Sequence, residues 1–205
     1  MTAALRQPPG KPCVAPVVIA MASSAGGLQA LMTIVAALPA DLHGAVIIVQ
    51  HLDPKRVSRL AELLAAKTSL RVRQARTGDV LEAGCVFVAP PDRHVIIADD
   101  GTLALSAAER VQYVRPSADV LFDSVARAFG GRAAAVVLSG TGRDGAAGCV
   151  AIHDSGGRVI VQDEASSQYP GMPLAAARTG DADVVLPLGD IAPELVRWTR
   201  EMQAT

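Results

Sequence analysis

Residues 17–28 read Val-Val-Ile-Ala-Met-Ala-Ser-Ser-Ala-Gly-Gly-Leu, an apolar run that stops at two serines and two glycines. The run predicts a buried β-strand. Apolar residues then recur with helical spacing at Leu28, Leu31, Met32 and Val35. The stretch therefore predicts a strand, a tight turn and a helix, with Ser24 beside the amide groups that open the helix. Because those amides favour negative charge, the turn suits either a nucleophilic serine or a pocket for a phosphate or carboxylate.

The composition favours one α/β domain. The chain has 205 residues, of which 50% are apolar and only 3% aromatic, so its core must consist of Val, Leu, Ile and Ala. Such a core suits a parallel sheet that is covered by helices on both faces. We expect a flexible N-terminal tail at residues 1–16 and one folded domain at 17–205. The net charge of −1 indicates neither nucleic-acid binding nor attraction to an anionic membrane.

The sequence predicts a cytoplasmic protein without a metal or cofactor. Cys13, Cys85 and Cys149 lie far apart and form no C-x-x-C pair, so we expect reduced thiols. The first sixteen residues resemble no signal peptide, and no apolar run is long enough to span a membrane. A metal site at His51, Asp53 and Asp144 is disfavoured because no ligand spacing supports it. The glycine turn carries neither G-K-[ST] nor G-x-G-x-x-G, which disfavours a nucleotide site.

Strands and helices alternate along the rest of the chain, which predicts a doubly wound, mainly parallel sheet flanked by helices. Residues 78–106 depart from this alternation. There we expect a short antiparallel extension of the sheet that includes 85–89 and a hairpin around Asp99-Asp100-Gly101. We also expect Leu60, Leu63 and Leu64 on the inner face of the second helix.

Three polar residues follow predicted strands, and ligands of such sheets bind at the carboxyl ends of the strands. Ser24, His51 and Asp144 are the residue types of a catalytic triad, in which a base activates the serine and a carboxylate orients the base. Each also has a structural interpretation. The serine can cap a helix, the histidine can bind backbone groups, and an aspartate before Gly145 can form a turn. The chain order Ser, His, Asp differs from that of the α/β-hydrolases.

Several motifs together resemble the catalytic domain of the chemotaxis protein-glutamate methylesterase/glutaminase family, the CheB type. They are Met21-Ala-Ser-Ser-Ala-Gly-Gly27, Val49-Gln-His-Leu-Asp-Pro54, Ala89-Pro-Pro-Asp-Arg-His94, Arg115-Pro-Ser-Ala-Asp-Val-Leu-Phe122, Ser139-Gly-Thr-Gly-Arg-Asp-Gly-Ala-Ala-Gly148, Asp163-Glu-Ala-Ser166 and Gly171-Met-Pro173. The resemblance extends from Val17 to about Glu201.

This resemblance implies a nucleophile at Ser24, a base at His51 and an orienting carboxylate at Asp144, with no cofactor. Ser23 occupies a position that the family usually fills with alanine. The implied reaction is hydrolysis of glutamate γ-methyl esters on the cytoplasmic helices of methylated chemoreceptors, and family members can also deamidate receptor glutamines. The amides near Ala25 and in the loop at 140–142 are the candidates for holding the oxyanion.

The usual family member carries an amino-terminal receiver domain, and the sixteen residues before the first strand leave no room for one. We therefore expect a stand-alone catalytic domain whose further partner is a separate response regulator or chemosensory kinase component. Two alternatives stay open at this point. One is a catalytically silent module that binds a partner in a chemosensory-like system, and the other is a hydrolase of small esters or amides.

Overall fold

The structure is a computed structural model in which residues 15–53 and 57–202 are described. Strands and helices alternate through these residues. The strands β1 to β9 are Val17–Ser23, Gly44–Gln50, Arg71–Gln74, Cys85–Val88, His94–Ile97, Leu103–Ser106, Ala133–Val137, Arg158–Gln162 and Val184–Leu186. The helices α1 to α6 are Gly27–Ala37, Leu60–Ala65, Ala118–Phe129, Ala146–Asp154, Gly171–Ala177 and Leu188–Glu201. The expected tail lies outside the described residues as far as residue 14, and so does Cys13.

Seven strands form one parallel sheet in the order β3-β4-β2-β1-β7-β8-β9. The chain moves from β1 to β2 on one side and later continues from β7 on the other side of β1. This reversal is the topological switch point of a doubly wound sheet, where ligand sites form at the carboxyl ends of the strands. The prediction of a doubly wound, mainly parallel sheet is confirmed.

The expectation that residues 85–89 belong to an antiparallel extension is wrong. β4 pairs in parallel with both β2 and β3, inside the large sheet. Only β5 and β6 pair in antiparallel fashion, and they form a separate two-stranded sheet. All four residues of β4 are buried, as an interior strand requires. A short apolar run does not reveal the direction of its partner strands, so the sequence could not separate these cases.

The large sheet separates two hydrophobic cores. Along β1, Ile19 and Met21 face the core that α1, α2 and α6 cover, while Val18, Ala20 and Ala22 face the core beneath α3, α4, α5 and the hairpin. All seven residues of β1 are buried, which explains why its sequence is apolar as far as Ser23. No helix among the described residues has the length and apolar character needed to cross a bilayer.

Two leucines that we expected on the apolar faces of their helices are instead exposed. Leu28 in α1 is 42% exposed and Leu63 in α2 is 44% exposed. The neighbouring residues Leu31, Leu60 and Leu64 are buried and contribute to the hydrophobic core instead. Helical spacing marks an apolar stripe but does not determine how wide a part of it the sheet covers.

Helices α3 and α4 begin side by side, and each receives a carboxylate from the start of the other. Asp144, just before α4, accepts hydrogen bonds from the amides of Ala118 and Asp119 at 2.6 and 3.1 Å. The Oδ1 atom of Asp119 in turn accepts from the amides of Gly145 and Gly148, both at 2.9 Å. The amides that open a helix have no partner inside it, so this exchange satisfies donors of both helices.

We expect Asp119→Ala to lower the free energy of unfolding by roughly 2–4 kcal/mol, because the buried amides of Gly145 and Gly148 lose their acceptor. Urea denaturation followed by circular dichroism measures the change. Asp123→Ala is the matched control on the same helix, since Asp123 is half-exposed and forms a surface ion pair with exposed Arg127. It should cost less than about 0.5 kcal/mol. Equal costs for the two variants would contradict the reciprocal capping.

Candidate active site

Ser23 and Ser24 end β1 in two different environments. Ser23 is fully buried, and its hydroxyl donates to Oε1 of Gln50 at 2.5 Å. Ser24 is partly exposed, and its amide donates to the carbonyl of Ser139 at 3.0 Å. Among the described residues, none forms a hydrogen bond with the Ser24 hydroxyl. Of the two serines, Ser24 therefore has the hydroxyl that is accessible and free to react.

The turn after Ser24 depends on its two glycines. Gly26 has a φ of +72°, which favours glycine, and it occupies the N-cap position of α1 without a side-chain cap. A Cβ at Gly27 would overlap Ser23 and the side-chain oxygen of Gln50. Within the described part of the chain, the amides of Ala25 and Gly26 donate to no protein acceptor. This end of α1 can therefore stabilise a negative charge.

His51 follows β2 directly, and Asp144 lies in the loop between β7 and α4. Nε2 of His51 and Oδ2 of Asp144 are 2.8 Å apart, although the two residues are 93 positions apart in the sequence. Because a carboxylate only accepts hydrogen bonds, Nε2 carries the proton in the neutral imidazole. Nδ1 is then the ring nitrogen that can accept a proton.

The carboxylate of Asp144 is buried, with 4% of its surface exposed. Burial by itself would raise the pKa of Asp144. The hydrogen bonds from His51, the Ala118 amide, the Ser117 hydroxyl and the Asp119 amide outweigh this effect, so the pKa lies below its usual range. Asp144 therefore stays ionised at neutral pH and holds His51 in one tautomer.

The neighbouring carboxylate of Asp119 is shifted in the opposite direction. Burial raises its pKa, and the charge of Asp144 adds to the increase, while the amides of Gly148 and Gly145 act against it. Asp119 also accepts a hydrogen bond from Gln112, whose other side-chain atom accepts from Arg143 at 3.2 Å. This chain of contacts links the start of α3 to the wall of the pocket.

One pocket of about 350 Å³ brings the predicted residues together, because Ser24, His51 and Asp144 all line it. Gln112, Tyr113 and Arg143 also line this pocket. Arg143 is exposed and brings a positive charge to the wall of this pocket. Pro54 of the quoted histidine motif lies outside the described residues. No cluster of three or more His, Cys, Asp or Glu side chains with the arrangement of a metal site occurs in residues 15–53 and 57–202.

The loop at 140–142 does not offer all the amides that we expected for the oxyanion. The amide of Gly140 donates to the carbonyl of Tyr169 at 2.8 Å, and the Gly140 carbonyl accepts from the Met172 amide at 2.9 Å. This loop is therefore tied to the start of α5. Since the Gly140 amide is engaged, the expectation for this residue is wrong.

Sequence reasoning assigned no role to Gln50, which connects the serine turn with the histidine. Its Nε2 donates to the carbonyls of Ser24 and His51 at 2.8 and 3.1 Å, and its Oε1 accepts from Ser23. Gln50 is only 7% exposed, so these bonds are largely shielded from water. A buried amide at the end of an apolar strand was the signal for such a role.

Ser117 is the N-cap of α3, because its hydroxyl accepts from the amide of Val120. The same hydroxyl donates to Oδ1 of Asp144 at 2.7 Å, which makes it part of the site. His94 lies one contact further away, since its Nδ1 accepts from the Ser117 amide. His94 is buried and therefore supports the start of α3 from inside the protein.

Residues 19–195 match the family model described as CheB methylesterase. The chain belongs to the CheB methylesterase family. The solved structure of the Thermotoga maritima CheB methylesterase catalytic domain superposes with a TM-score of 0.85 at 32% identity and covers 89% of this chain and 98% of that chain. The fold described above is therefore that of a CheB catalytic domain.

Longer curated relatives match the same region. The chain is 44% identical over 181 residues to protein-glutamate methylesterase/protein-glutamine glutaminase 3 of Burkholderia orbicola, which covers 88% of this chain and 53% of the relative. It is 41% identical over 190 residues to protein-glutamate methylesterase/protein-glutamine glutaminase 2 of Methanosarcina mazei, at 89% and 52% coverage. The chain thus spans about half the length of these CheB relatives.

We expect Gln50→Leu to slow labelling of Ser24 by a fluorophosphonate by roughly 10–100-fold, because small displacements of reacting groups are costly. Time-resolved mass spectrometry of the labelled protein measures the rate. Gln74→Leu is the matched control, since Gln74 is exposed at the end of β3. Labelling of Gln50→Leu at the wild-type rate would show that Gln50 does not position the serine.

Proposed function

We propose that this chain is a serine hydrolase that removes methyl groups from glutamate γ-methyl esters of chemoreceptor proteins. One arrangement carries the proposal. The free hydroxyl of Ser24 shares a pocket with His51, and a buried carboxylate at Asp144 orients this imidazole. The names of the CheB relatives support glutamyl side chains of proteins as the substrate class.

The proposed reaction has two halves. Nδ1 of His51 takes the proton of Ser24 as its oxygen bonds to the ester carbonyl carbon. The resulting oxyanion lies at the start of α1, where the amides of Ala25 and Gly26 stabilise it. The bond to the methoxy group then breaks, and methanol leaves with the proton from His51. In the second half, His51 takes a proton from a water molecule as the water oxygen bonds to the acyl carbon. The bond to the Ser24 oxygen then breaks, His51 returns the proton to Ser24, and the glutamate side chain leaves as an acid that ionises in water.

The same site suits a primary amide, since attack on a glutaminyl side chain forms the same acyl-enzyme and releases ammonia. We therefore include deamidation of receptor glutamines in the proposal, which the names of the relatives also support. We place the reaction in the cytoplasm, where thiols such as those of buried Cys85 and Cys149 stay reduced. The proposed substrates are the cytoplasmic helices of methylated chemoreceptors, and a separate response regulator or chemosensory kinase component is the proposed regulatory partner.

We expect Ser24→Ala to lower methanol release from methylated chemoreceptor membranes by at least about 10⁴-fold, because no other group supplies the nucleophile. Gas chromatography of the released methanol measures the rate. Ser23→Ala is the matched comparison and should retain activity within about 100-fold of the wild type, because the Ser23 hydroxyl only supports Gln50. A larger loss from Ser23→Ala than from Ser24→Ala would show that Ser24 is not the nucleophile.

We expect Asp144→Asn to lower kcat by roughly 10³–10⁴-fold, because an amide cannot accept from His51 and from the α3 amides together.

The folded-state pKa of Asp144 is lowered, so its stabilisation is present above the ordinary carboxyl range and is lost as the pH falls through the lowered pKa. The stability difference between wild type and Asp144→Asn should therefore shrink below about pH 4. Urea denaturation at several pH values measures it, with Asp123→Asn as control. A difference that is independent of pH would contradict the proposed ionisation.

A further inference from the structure

Exposed apolar side chains concentrate around Ser24. Among the described residues, the exposed large hydrophobic side chains are Leu28, Leu52, Val57, Leu63, Tyr113, Tyr169 and Val185. The first four line a cleft that Ser24 also lines. Tyr113 lines the pocket that holds Ser24 and His51, and Tyr169 belongs to the loop bound to Ser139 and Gly140. Val185 lies apart from them on β9. Clustered exposed apolar groups mark an interaction surface, whereas scattered ones do not.

The cleft lies between the start of α1 and the helix α2 and has a volume of about 290 Å³. Leu28 and Leu63 contribute apolar walls, and buried Leu60 also lines it. Leu31 and Leu64 of the same helices already pack in the hydrophobic core. The exposed leucines are therefore not needed to attach these helices to the sheet. We refer to this space, lined by Ser24, Leu28, Leu52, Leu60 and Leu63, as the apolar cleft.

Continuity with Ser24 indicates what occupies the apolar cleft. Ser24 lines both the cleft and the polar pocket of His51 and Asp144, so the two spaces meet at the nucleophile. A small ester needs only the polar pocket. A glutamyl ester within a protein brings the neighbouring residues of that protein along, and these must lie on the surface beside Ser24. The cleft forms one side of that surface and is mainly apolar, with Asp53, Ser58 and Arg59 among its other lining residues.

We propose that the apolar cleft binds apolar side chains that flank the esterified glutamate of the protein substrate. This proposal rests on the proposed function and adds a determinant of substrate choice. Contacts in the cleft stabilise the bound protein without touching the reacting atoms, so their loss raises KM and leaves kcat unchanged. Small esters do not reach the cleft, and their hydrolysis is independent of it.

The test compares wild type with the double variant Leu28→Gln/Leu63→Gln, in which glutamine preserves helix propensity. Val185→Gln is the matched control, because Val185 is 50% exposed and lies outside the cleft. Methanol release from methylated chemoreceptor membranes and hydrolysis of p-nitrophenyl acetate are both measured. We expect the double variant to raise KM for the receptor at least tenfold, with p-nitrophenyl acetate hydrolysis within twofold of wild type. Val185→Gln should change neither reaction.

Three results would overturn the proposal. One is an unchanged KM for the receptor, and another is an equal loss with both substrates. The third is a wild-type dimer that becomes a monomer in the double variant during sedimentation, which would assign the cleft to a second copy of the chain. Should the double variant fail to fold, the single variants Leu28→Gln and Leu63→Gln carry the same comparison. A wild type that hydrolyses p-nitrophenyl acetate but releases no methanol from receptors would refute the proposed function itself and this inference with it.

Discussion

The hydrogen bonds of the Asp144 carboxylate join the fold to the chemistry of the site. Burying a carboxylate is unfavourable unless donors surround it. Here the donors come from the first residues of α3, so the charge is stabilised by the end of a helix that the core already holds in place. One position on Oδ2 is left for His51. The start of α3 thus determines where the imidazole lies.

Asp119 makes this arrangement mutual. It fixes the start of α4, and the loop before α4 carries Asp144. Neither helix can shift along its axis without breaking hydrogen bonds of the other. Burial raises the pKa of Asp119, and repulsion from the neighbouring charge of Asp144 raises it further. The fold tolerates this repulsion because each carboxylate faces a separate set of amide donors.

The nucleophile is positioned from the other side of the switch point. Gln50 ends β2, and its side chain binds the backbone of both Ser24 and His51. It therefore aligns the loop after β1 with the loop after β2. The glycine turn allows this close approach, since a side chain at Gly27 would occupy the space of Gln50. The hydrogen bonds of Gln50 hold this turn in place, whereas the exposed leucines beside Ser24 contribute little to the core. The site therefore combines a fixed reaction centre with an apolar surface that has no partner within the described chain.

The sequence by itself determined the succession of strands and helices, the mainly parallel sheet and the edge on which Ser24, His51 and Asp144 lie. It could do so because continuous apolar runs, glycine turns and helical spacing are local patterns, and a parallel sheet brings the ends of its strands to one edge. Only the tertiary structure decided that β4 lies inside the large sheet, that the Gly140 amide is engaged and that Leu28 and Leu63 are exposed. It also determined the partners of Gln50 and Asp144. These features depend on groups that meet across large separations in the sequence, such as the 93 positions between His51 and Asp144, and local patterns do not encode such contacts.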